Sequence, residues 1–181
     1  MCIRDSHMTE ECYNNLLELS KTQKEEVGGI IQGKANGNDL LVDKISIHSD
    51  DVYQERTSSS LEYNVTKWIQ KTVWDLFNTD MPYYIMFHTH PRLTGAPRLS
   101  AADVETLQYV KSLANKVPHS NNIEVIEGII TRHEIAFYHY DTNKKEPERL
   151  PLFVNGIERK PSTEQGLVEA FKNGFIRGRK R

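Results

Sequence analysis

An unbroken apolar run, Tyr83-Tyr-Ile-Met-Phe87, leads straight into His88-Thr-His90 and stops at Pro91. A run of this length and aromatic content predicts a buried strand over Tyr83–His90. Successive side chains of a strand alternate faces, so His88 and His90 share one face and both imidazoles can converge on one ion. Pro91 cannot continue the ladder and ends the strand just past the pair. A Gly/Pro-containing loop follows, and then Ser100-Ala-Ala-Asp103 opens a predicted helix over Ala101–Lys116. Two imidazoles and one carboxylate make a three-ligand set that leaves a fourth tetrahedral position for water, which distinguishes a catalytic zinc from a structural one. Ser100-x-x-Asp103 is also a capping box with Ser100 as N-cap, and a helix start needs no metal to explain it.

A third element lies upstream, in Glu26-Val-Gly-Gly-Ile-Ile-Gln-Gly33. Its glycines permit a bulge or close packing in a strand. A water activated at a metal needs a general base within hydrogen-bond reach, and a glutamate at the start of a neighbouring strand supplies one. Spacing alone leaves Glu25 and Glu26 as equal candidates.

Glu-x-Gly-Gly, then His-Thr-His-Pro, then Ser-x-x-Asp resembles the signature of the JAMM, or MPN-type, zinc metalloprotease family, over about residues 25–140 of this chain. The resemblance assigns the base to Glu26. It maps His88, His90 and Asp103 onto the zinc ligands and Ser100 onto the serine that steadies the tetrahedral intermediate. The nine residues Pro91–Leu99 between His90 and Ser100 form a longer connection than the family usually carries, which enlarges the loop holding Gly95 and Pro97. The implied fold is a single α/β (α+β) domain of the MPN, cytidine-deaminase-like type, with a central mixed sheet flanked by helices. The implied activity is zinc-dependent hydrolysis of the peptide or isopeptide bond after the C-terminal glycine of a ubiquitin-like protein. The compact chain is similar to stand-alone bacterial members, some of which sit beside E1-like and E2-like proteins in antiphage operons. A peptidase that processes sulfur-carrier proteins shares all of this chemistry. A non-catalytic MPN-like binding module is expected to lack one or more of Glu26, His88, His90 and Asp103, and all four are present.

Composition agrees with an enzyme domain. At 181 residues and 38% hydrophobic content the chain is long enough for one sizeable core. A net charge of −2 argues against nucleic acid or membrane as bulk-charge partners. No apolar run approaches the ~18 residues of a membrane span and no secretory signal is visible, so the expected location is cytoplasmic. Two cysteines, Cys2 and Cys12, form no metal-binding spacing and fit a reducing compartment. Residues 1–8 read as a tag-like or assembly-derived segment, 9–155 as the metalloprotease domain, and 156–181 as a C-terminal helix with a basic tail.

Along the chain, an amphipathic helix is expected at Glu10–Lys21. Strands are expected at Val27–Gly33 and Leu40–His48, joined by a turn in Ala35-Asn-Gly-Asn38. Ser49–Ser59 reads as a polar connection. Ser60 reads as the N-cap of a helix over Leu61–Asn78, with Val65, Trp68, Ile69, Val73, Leu76 and Phe77 at core spacing. Ile123–Thr131 and Glu134–Tyr140 predict a hairpin around Arg132-His133. Leu150–Val154 is an expected edge strand, and Thr163–Asn173 a helix bearing Leu167, Val168 and Phe171. The terminal Arg177–Arg181 reads as a solvated basic tail. His48, His119, His133 and His139 have no spacing that joins them to the site.

Overall fold

The computed structural model describes residues 5–36, 39–79, 83–118, 123–141 and 146–160. Tyr83–His90 forms a strand with the predicted bounds, and seven of its eight residues are buried. In chain order the strands are β1 (Asp5–Met8), β2 (Gly28–Asn36), β3 (Asp39–Ile47), β4 (Tyr53–Arg56), β5 (Leu61–Tyr63), β6 (Tyr83–His90), β7 (Glu124–Thr131), β8 (Ile135–Asp141), β9 (Glu146–Leu150), β10 (Leu152–Val154) and β11 (Ile157–Glu158). The helices are α1 (Glu10–Thr22), α2 (Val65–Asn78) and α3 (Ala101–Ala114). Among the described residues the main sheet runs β11-β10-β1-β3-β2-β6-β7-β8-β9, with β4 and β5 as a separate pair. β2–β6 pair antiparallel and β6–β7 parallel, so the expected α+β class with a mixed sheet holds.

The alternation along β6 sorts the core into two. Tyr83, Ile85 and Phe87 face α1, packing with Leu16, Leu17, Ile31 and Phe137. Tyr84 and Met86 face the other way, among Trp68 and Leu76 of α2 and Leu107 and Val110 of α3. His88 and His90 continue the Tyr84–Met86 parity, so both lie on the α2/α3 side. The sheet curls around α1. The chain passes from β9 at one end of the sheet to β10 near the other across Pro151 alone, and Leu150 and Leu152 on either side join the α1 core.

Several expectations change. Residues 5–8, set aside as tag-like, form β1 between β3 and β10, parallel to both. Ser6 and Met8 are buried while Asp5 and His7 are half-buried, a two-residue period too short to stand out in a sequence. The single edge strand expected at Leu150–Val154 is divided at Pro151, which has no N–H for a ladder; its halves serve opposite ends of the sheet. The expected polar connection at Ser49–Ser59 contains a 3-10 turn at Asp50–Val52 and then β4, which pairs with β5. Consequently α2 starts at Val65 rather than Leu61, and its N-cap is Asn64, whose side chain accepts from the Lys67 amide. Ser60 instead closes the β4–β5 turn, its carbonyl accepting from Thr57 N at 2.9 Å. On α2, Trp68, Thr72 and Leu76 form the buried line, whereas Val65 and Phe77 are exposed. The β7–β8 hairpin and α1 match their expectations within two residues. The turn at 37–38, His119, the Thr163–Asn173 segment and the basic tail lie outside the described residues. No described helix is long and apolar enough to cross a membrane.

Candidate metal centre

Strand register brings the site together. β2 and β6 pair with Gly28 opposite His88, so the antiparallel run places Glu26, two residues earlier, beside His90, two residues later. Glu26 Oε1 lies 2.8 Å from His90 Nδ1. Thr89 locks this junction from the other face, its N–H reaching Val27 O and its hydroxyl accepting from Val27 N. On the opposite flank β7 runs parallel with Glu127 level with Met86, and Glu127 Oε1 lies 2.8 Å from His88 Nδ1. With both Nδ1 atoms turned to carboxylates, both Nε2 atoms face inward, 3.1 Å apart.

Asp103 arrives from α3. Its Oδ2 accepts from the Ser100 amide at 2.6 Å, and the Ser100 hydroxyl accepts from the Asp103 amide, completing the predicted capping box. Its other oxygen, Oδ1, lies 3.5 Å from His88 Nε2. Capping and metal ligation are therefore compatible: one oxygen is tied to the helix start and the other points at the imidazoles. The ligand atoms of His88, His90 and Asp103 all lie within 4.8 Å of one another. A tetrahedral zinc with ligand bonds of about 2.0–2.2 Å separates its donors by about 3.3–3.6 Å. The 3.5 Å between His88 Nε2 and Asp103 Oδ1 lies in that range, and the 3.1 Å between the two Nε2 atoms falls slightly short of it. The donor set of imidazole and carboxylate suits such an ion.

These residues line a cavity of about 310 Å³ whose wall includes Tyr63 and Trp68. The Gly-Gly of the motif has a packing reason. A Cβ at Gly28 would come within 2.5 Å of Tyr63 Oη, and one at Gly29 would drive into the Phe87 ring and the Ser46 carbonyl. Behind Tyr63 its ring stacks on Tyr53 and on Trp68, and His48 packs edge-on to both tyrosines. Burial, helped by the Lys71 charge, lowers the His48 pKa to about 4, so His48 is a neutral core group outside the ligand set.

Burial pushes His88 toward its neutral form, but the Glu127 bond and the nearby carboxylates of Asp103 and Glu26 outweigh it and raise its pKa. Burial raises the Glu127 pKa. Three carboxyl groups thus converge on two imidazoles, an arrangement that a divalent cation balances. The long loop between His90 and Ser100 is pinned to the β7–β8 hairpin: Arg132 N donates to Leu93 O, Thr131 Oγ1 to Gly95 O and Tyr138 Oη to Pro97 O.

All five sequence-derived residues, Glu26, His88, His90, Ser100 and Asp103, line this one cavity. Sequence reasoning missed Glu127, although a charged residue inside the apolar run of Glu124–Thr131 is the available signal. A larger groove of about 430 Å³ between α2 and the β2–β3 region contains no such ligand set among the described residues. A second convergence of Asp5, His7 and Asp39 lies on β1 and β3, with His7 3.7 Å from Asp39.

No family model matches the chain, and no curated protein does. A solved structure with some likeness is the solution structure of a protein from Desulfitobacterium hafniense, 15% identical over 88% of this chain and 96% of that one, at a TM-score of 0.49.

Proposed function

We propose that this chain is a zinc-dependent hydrolase of the JAMM type, with the MPN, cytidine-deaminase-like fold, that cleaves the bond after the C-terminal glycine of a ubiquitin-like protein. The observation that carries the reading is the convergence of His88 Nε2, His90 Nε2 and Asp103 Oδ1 in the cavity that also holds Glu26. When bound, zinc supplies Lewis-acid polarisation of the scissile carbonyl and activation of water at neutral pH.

The chain's own groups do the rest. Glu26 Oε1 is engaged by His90, leaving Oε2 to take a proton from the attacking water and return it to the leaving amine. The Ser100 hydroxyl accepts from the Asp103 amide, so its hydrogen remains to donate to the carbonyl oxygen as negative charge develops there. Tyr63 and Trp68 wall the approach. β5 is paired on one side only among the described residues, which suits an extended glycine-ended tail that adds as a strand. Glycine suits such a tail because its backbone approaches a metal closely.

The test is cleavage of a panel of ubiquitin-like and sulfur-carrier C-terminal fusions, with zinc quantified on the same sample. Near-stoichiometric zinc and chelator-sensitive cleavage after the terminal glycine are expected. A folded sample that takes up no zinc even on reconstitution overturns the reading.

A further inference from the structure

We infer that Glu127 is a positioning residue for the metal centre: its carboxylate holds the proton on His88 Nδ1 and thereby aims His88 Nε2 at the ion. The inference rests on the metal reading of the site and deepens it. Among the described residues Glu127 is one of the few buried charged side chains, set between Val125–Ile126 and Gly128–Ile130 in β7. A carboxylate in that setting is costly unless a partner satisfies it. Its described partner is His88 Nδ1 at 2.8 Å, on the side of the ring away from the ligand atom.

Geometry separates this role from direct ligation. Glu127 engages Nδ1, whereas His90 Nε2 and Asp103 Oδ1 both lie around Nε2, at 3.1 and 3.5 Å. A neutral imidazole carries one proton, so an acceptor at Nδ1 leaves the lone pair on Nε2. Glu127 therefore sets both the tautomer and the ring rotation. Glu26 makes the same contact with His90 Nδ1 at 2.8 Å, so each ligating histidine has its own carboxylate. The two carboxylates differ in what else they can do. Glu26 sits at the strand end next to His90, whose side chain is 19% exposed, and Glu127 lies behind the more buried His88, at 10%. Glu127 is the fixed support, while Glu26 can also exchange a proton with a bound substrate's water.

Outer carboxylates of this kind typically change metal affinity by about 10–100-fold when removed. The experiment measures zinc affinity of the full chain by competition with a chromophoric chelator, alongside the ¹⁵N shifts of the His88 ring in the metal-free protein. Expected are a loss of about 10–100-fold for Glu127→Ala, a smaller loss for Glu127→Gln, and a shift of the His88 proton from Nδ1 toward Nε2. Glu127→Gln keeps the volume and an acceptor oxygen, so it carries the test if the alanine variant does not fold. Glu127 variants with wild-type zinc affinity and an unchanged tautomer overturn the inference while leaving the metal reading intact. A wild-type chain that binds no zinc overturns both. A purely structural role would move the metal-free melting temperature and leave zinc affinity unchanged.

Discussion

The Ser100 amide donates to Asp103 Oδ2 at 2.6 Å, and the Ser100 hydroxyl in turn accepts from the Asp103 amide. This reciprocal pair holds one carboxylate oxygen at the start of α3 and leaves the other directed at His88 Nε2. Ser100→Ala removes the hydroxyl but not the amide. Helix capping should weaken by about 1 kcal/mol. Turnover should fall by about 10²–10³-fold if the hydroxyl stabilises the developing oxyanion. Zinc should remain near stoichiometric by elemental analysis; its loss would show that the hydroxyl cap is what positions Asp103.

Glu26→Gln tests the proton relay separately from the ligand support. The amide oxygen can still accept from His90 Nδ1, so zinc content should be close to wild type. An amide cannot shuttle a proton, and activity should drop by at least about 10²-fold. Near-normal turnover in this variant would remove Glu26 from the role of base.

His88→Ala deletes a proposed ligand and removes the His88 partner of Glu127. Zinc at 100 times its Kd should stabilise the wild type by about 2.7 kcal/mol, and the variant far less. Differential scanning calorimetry with and without zinc, and after chelation, reads this directly. An equal zinc-dependent rise in melting temperature for both proteins would place the metal elsewhere.

Gly28→Ala should damage the cavity wall without touching a ligand. The added Cβ meets Tyr63 Oη, Leu61 Cδ2 and the Phe87 carbonyl, of which only the side chains can yield. The cost of such overpacking is about 1–3 kcal/mol. Urea unfolding should show that loss, with KM raised and zinc retained; unchanged stability and kinetics would mean that Tyr63 moves freely.

His48 gives a pH dependence of defined sign. Its folded pKa of about 4 lies below the ordinary value of 6.5, so the unfolded chain takes up the proton first as pH falls. The stability held by neutral His48 is fully present above pH 6.5 and is lost between there and about pH 4. The full shift corresponds to about 3 kcal/mol. His48→Phe should remove that slope from urea-derived stability measured over this range, relative to wild type. Parallel profiles for the two proteins would contradict the assignment.

The elements legible in the sequence are those whose signal is local. β6 has its predicted bounds because a continuous apolar run stopped by proline describes one buried strand completely. The capping box and the β7–β8 hairpin are equally local patterns. β1, β5 and the division at Pro151 were not legible, because two to four residues of alternation take their meaning from the strands beside them. The exposed Phe77 shows the same limit from the other side: helical spacing identifies a stripe, but its width depends on what packs against it.

The amino-acid sequence by itself determined that His88 and His90 share a face and that Asp103 opens a helix, because both follow from the repeat geometry of a single strand and a single helix start. Only the tertiary structure decided which carboxylate meets which imidazole. Glu26 reaches His90 through the antiparallel β2–β6 register, and Glu127 reaches His88 through the parallel β6–β7 register. Register is set by side-chain burial on both faces of the sheet together, so no stretch of sequence carries it alone.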